Sequence, residues 1–191
     1  MLPAVLLHLP TPEDLSFIPR PPESHHAFGA GFLFIGAMIT AESLAGKVWH
    51  ANLARRLAFP AMLVFLGWGM VAVAFLEPTA RLVHLTMGLP MVAGGWAEGR
   101  YRLGELDRRY ADVFIVPALV LAAIDTAFFH LNNPPGSAIY ITHSLLAVLT
   151  LTIAALRLYQ SQQVDSVWRS LFIATAIVAV GLDLWIDAFF Q

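Results

Sequence analysis

The chain has 191 residues, 58% of them hydrophobic and 13% charged, with a net charge of −2 and no cysteine. A soluble domain carries about a quarter charged residues, and the mean hydropathy here is +0.70, so the composition argues for an all-α polytopic membrane protein. The missing cysteines exclude disulfides and thiolate metal sites. The missing basic run excludes nucleic acid as a partner. The expected surroundings are a lipid bilayer, with room for a membrane or periplasmic protein partner.

In chain order, residues 1–24 form a proline-rich outer tail. Pro3, Pro10, Pro12, Pro19, Pro21 and Pro22 favour extended backbone. A short apolar start without a positive flank or a small-residue cleavage site does not read as a cleaved signal peptide. Residues 25–191 read as one transmembrane domain of six spans: 27–44, 57–76, 82–97, 111–129, 139–158 and 167–190. The third span is the shortest. Its Gly88, Pro90, Gly94 and Gly95 suit a kink or a close approach to a neighbour.

Charge orients the spans. Lys47, Arg55 and Arg56 lie in the loop after span 1. Arg100, Arg102, Arg108 and Arg109 follow span 3, and Arg157 and Arg169 flank the loop after span 5. Only Arg20 and Arg81 fall on the other side. The positive-inside rule makes the arginine loops cytoplasmic and puts both termini outside.

Histidine partitions the opposite way. His8, His25, His26, His84, His130 and His143 all fall at the outer side, and only His50 lies inside. Asp125, Asp183 and Asp187 lie in outer half-spans, and Glu77 just past span 2. His26, His84 and His143 are 58 and 59 residues apart, and Asp125 and Asp183 are 58 apart. This spacing suggests three tandem helical hairpins, 25–80, 81–138 and 139–191. In that register Glu42, Glu98 and Arg157 fall near the inner face, where they read as a structural ion-pair layer.

An ionisable group inside an apolar span is costly, so it marks a candidate site. Three readings arise for the outer cluster. The first is a metal site of His84, His130, His143, Asp125 and His26, with His25, Glu77, Asp183 and Asp187 as further candidates. Imidazole and carboxylate donors without cysteine suit copper first and zinc second. Asp125 and His130 stand about 140° apart around a helix, so Asp125 suits orienting a ligand as well as being one. The second reading is one b-type haem between His84 and His143, for electron transfer. The third is a structural or assembly subunit with interfacial histidines. Retinal is excluded because the single lysine, Lys47, lies in a loop, and no motif sets up a catalytic triad.

The histidine-led stretches LVHLTMGLPMVAGGWAEGRYRLGEL and ITHSLLAVLTLTIAALRL resemble segments of bacterial polytopic membrane proteins of the copper-resistance type. The resemblance implies copper handling on the periplasmic side of a bacterial inner membrane. The chain departs from that pattern in its six scattered methionines.

Overall fold

A computed structural model describes residues 21–76, 81–130, 136–162 and 167–189. It is all-helical among these residues: α1 (Pro21–Ala45), α2 (Lys47–His50), α3 (Leu53–Leu76), α4 (Arg81–Arg102), α5 (Arg108–His130), α6 (Ala138–Gln162) and α7 (Val167–Asp187). Residues 1–20 of the predicted tail lie outside the described residues. Its last four, 21–24, expected to be extended, instead form the first turn of α1, where proline is tolerated because the first N–H groups of a helix have no partner within it. Gly46 and Gly104 break the chain after α1 and α4, at φ 51° and 79°, backbone that residues with a Cβ rarely adopt.

The six long helices close into a ring. Going round it, α1 packs on α3, α3 on α4, α4 on α5, α5 on α6, α6 on α7, and α7 back on α1. Small residues let neighbouring backbones approach. A Cβ on Gly67 would stand 2.8 Å from the Gly88 carbonyl oxygen, and one on Gly29 2.8 Å from that of Gly181. Close backbone contact at small residues is how apolar helices associate when lipid gives them no hydrophobic reason to. The seam between α1 and α3 is the least extensive of the six.

The ring's outer surface is apolar. Phe65 and Trp68 on α3, Leu82 on α4 and Phe172 on α7 are exposed. A soluble protein would not present so many large apolar side chains to water. Five helical stretches are long and apolar enough to cross a membrane: Ser24–Ala45, Leu53–Leu76, Arg108–Ala127, Ala138–Tyr159 and Val167–Asp187. These describe a multi-pass membrane protein. The predicted third span, on α4, is equally long but less apolar, because His84, Thr86, four glycines and Glu98 dilute it. It stands in the ring beside the others because its glycines, not lipid-facing bulk, hold it against α3.

Candidate functional site: a histidine-capped lumen

The ring encloses a cavity of about 570 Å³ lined by all six long helices. His25, His84 and His143 line it towards one end, and Arg157 towards the other. His143 and Arg157 lie on one helix, 14 residues and so roughly 21 Å apart. Between these ends the wall is built from residues such as Ile35, Leu63, Met91, Leu119, Ile153 and Ile177. Thr126 and Thr150 also face the lumen. Each hydroxyl donates back to its own helix, Thr126 to the Ala122 carbonyl and Thr150 to that of Leu146 at 2.7 Å. The middle of the lumen therefore offers a ligand little hydrogen bonding.

The register of the lining is regular. His25, His84 and His143 succeed one another at steps of 59 residues, as do Phe32, Met91 and Thr150. On the intervening helices Phe59, Ile115 and Ile173, then Leu63, Leu119 and Ile177, follow steps of 56 and 58. The small residues obey the same steps: Gly29, Gly88 and Ala147 on one set, Gly67, Ala123 and Gly181 on the other.

At the histidine end, Asp187 is the hub. Its Oδ2 lies 2.9 Å from His25 Nδ1, and its Oδ1 lies 3.5 Å from His143 Nδ1. Thr142 donates its hydroxyl to the same Oδ1 at 2.7 Å. His143 Nδ1 also lies 3.1 Å from the Ile139 carbonyl oxygen. The two imidazole centroids are 6.3 Å apart, edge to face. Asp187 is only 1% exposed, so it needs these partners.

The arginine end is closed by a network of five charged side chains. Arg157 reaches Glu98 Oε2 at 2.5 Å and Asp112 Oδ1 at 2.6 Å. Arg102 reaches Glu98 Oε1 and Glu42 Oε2, each at 2.8 Å. His50 extends it to Glu42 at 3.5 Å. Arg102 also lies over the Phe59 ring at 5.0 Å, tying the network to the lumen wall. Glu98 is 1% exposed and shares its two oxygens between two guanidinium groups, the geometry that makes a buried carboxylate tolerable.

The predicted site residues are placed unevenly. His84 and His143 both line the lumen. His26 instead packs edge-on against Trp185 and Phe189 at 5.0 and 5.3 Å, away from Asp187. Its neighbour His25 holds the place predicted for it, because the step of 59 rather than 58 sets the face of the helix. Asp125 is not part of the lumen wall; it accepts a hydrogen bond from Thr86 on α4. Asp183 is buried one turn before Asp187 on α7. His130 ends α5, and its side chain, like Glu77, lies outside the described residues. Among the described residues no group of three or more histidine, aspartate or glutamate side chains is close enough to hold a metal ion. Of the predicted shell, His84 and His143 face the lumen and Asp125 is bonded to Thr86, while His130 lies outside the residues whose side chains are described. Asp187, only a further candidate on spacing, organises the cluster instead. It is joined by Thr142, which stands next to His143 in the chain.

Comparison with known proteins gives no match: no family model fits the chain, and no curated protein or solved structure is similar to it.

Proposed function

We propose that this chain is an intramembrane binding protein whose lumen takes one small lipophilic molecule, with the polar end of that molecule at His25, His84 and His143. The observation that carries the reading is the apolar cavity of about 570 Å³, capped by imidazoles at one end and by paired charges at the other. That volume falls within the usual range of ligand pockets, and mostly apolar walls with a few converging polar groups are their usual lining. The ion-paired floor argues against a conducting path, because a transported polar solute would meet only Thr126 and Thr150 in the middle of the lumen, and both hydroxyls donate to their own helices. The thin α1–α3 seam offers a lateral way in from the lipid.

The test is binding of an apolar fluorescent probe to the full chain in lipid nanodiscs. Wild type should saturate at one probe per chain. Leu119→Trp, which fills the lumen from α5, should weaken binding by about tenfold or more, a loss of some 1.4 kcal/mol. Equal binding by a folded Leu119→Trp chain would overturn the reading.

The same proposal takes α4 as a sixth span and the chain as three tandem hairpins in a bacterial inner membrane, with both termini outside. Its support is the gathering of Arg102, Arg157 and His50 at one end of the ring, and the common step of the lining residues. A reporter that works only in the cytoplasm should stay silent when fused after Gln191; a signal from it would reverse the orientation.

A bare copper or zinc ion is the competing reading of the same imidazoles, and it requires His25, His84 and His143 to draw closer together than they stand here. It is supported by the shared carboxylate at Asp187, since metal-bound histidines commonly give their second nitrogen to a carboxylate. Stoichiometric copper or zinc surviving a chelator wash would favour the ion over an organic ligand.

A further inference from the structure

We infer that the lipophilic molecule in the lumen is a metal-bearing macrocycle of the b-type haem class, ligated by His84 and His143. This rests on the lumen reading above and names its ligand.

Three observations converge on that class. First, imidazoles from three different helices face a lumen whose remaining wall is mostly apolar, with Thr126, Thr150 and Arg157 among its few other polar residues. Neutral imidazole nitrogens can hydrogen-bond the polar end of a ligand, and they are also good ligands for a Lewis-acidic metal centre. Second, His143 Nδ1 faces two oxygens, the Ile139 carbonyl at 3.1 Å and Asp187 at 3.5 Å. That arrangement selects the tautomer in which histidine ligates a metal through Nε2. Third, no group of three donor side chains among the described residues is gathered tightly enough for a bare ion. A bare zinc or copper ion draws three or four ligands from the protein. A macrocycle brings four of its own and asks the protein for one or two axial histidines.

The walls fit the body of such a ligand. Phe32, Met70, Met87, Met91, Leu119 and Leu146 line the lumen, apolar or polarizable and uncharged. The absence of cysteine excludes thioether attachment, so the group would be held by axial ligation and packing alone. Asp187 then acts as a positioning residue. It touches His143 and His25 from behind and makes the axial imidazole a stronger donor.

The experiment is titration of ferric haem b into the purified full chain in nanodiscs, followed by absorption spectroscopy. Wild type should develop a sharp Soret band saturating at one haem per chain, with the low-spin spectrum of two imidazole ligands. His84→Ala and His143→Ala should each lose the low-spin spectrum. If either variant folds poorly, His143→Gly supplies the second measurement, because added imidazole should restore the low-spin band. Asp187→Asn should still bind haem but shift its reduction potential to a more positive value, an effect that loss of packing alone would not produce. Absence of a saturable Soret band, or full low-spin spectra in both histidine variants, overturns the haem assignment. If the apolar probe still binds and Leu119→Trp still blocks it, only the haem assignment falls. If Leu119→Trp blocks neither ligand, the lumen reading falls with it.

Discussion

Arg157→Ala should destabilise the protein by about 3–5 kcal/mol, the usual cost of removing one partner from a buried ion pair. Arg157 is the link on which the arginine end depends. Its guanidinium spans Glu98 at 2.5 Å and Asp112 at 2.6 Å, and so bridges α6 to both α4 and α5. Without it, Glu98 keeps Arg102, but Asp112 loses the guanidinium that balances its charge. Asp112 is 5% exposed, too buried for water to compensate. Arg157→Lys should recover little, because an ammonium on a flexible stem cannot serve two carboxylates as a planar fork does. Thermal unfolding of the purified chain in a single detergent checks both variants. An Arg157→Ala chain that melts with wild type would show that the network is interfacial decoration.

Gly67→Val should be nearly as damaging, for a steric reason. A Cβ at Gly67 would stand 2.8 Å from the Gly88 carbonyl oxygen and 2.8 Å from the Val92 backbone nitrogen. Both are backbone atoms of α4 and cannot rotate away, so the two helices would have to separate along their most extensive interface. The expected cost lies at or above the top of the roughly 1–3 kcal/mol range for overpacking. Gly99→Ala is the internal contrast. Its Cβ would meet only Pro60 Cβ, at 3.7 Å, an ordinary contact. Alanine also favours helix over glycine by about 1 kcal/mol. Gly99→Ala should therefore match or exceed wild type in thermal stability while Gly67→Val melts well below it. Equal melting of the two variants would mean that α3 and α4 do not pack as described.

The ion-pair layer is legible in the amino-acid sequence. Glu42, Glu98 and Arg157 fall at matching depths on the spacing of the chain, and they do join one network through Arg102. Asp112 and His50 are not legible as members. Which residues at one depth face inward depends on helix rotation, and hydropathy carries little rotational signal when lipid and lumen are both apolar. The same blindness explains the exchange of one histidine for its neighbour. His25 and His26 are adjacent in sequence and about 100° apart around α1, so one points to Asp187 and the other to Trp185. Asp125 misleads for a related reason. It is a costly group in an apolar span, which marks it for the site. Its cost is met locally by Thr86 of the neighbouring helix, which no spacing rule reveals.

The sequence by itself determined the membrane class, the long helices, and the concentration of histidine at one end and of arginine at the other, with His50, Arg20 and Arg81 as exceptions. Those follow from hydropathy, length and charge, which are properties of each segment alone. It also contained the small residues that let helices touch. Only the tertiary structure decided that the helices close into a ring, that α4 joins it despite its diluted hydropathy, and that Asp187 rather than Asp125 gathers the imidazoles. Those outcomes turn on which faces of which helices meet. Helix pairing inside lipid is governed by van der Waals fit at positions such as Gly29 with Gly181 and Gly67 with Gly88. Fit is a property of two surfaces together, so neither segment carries it alone.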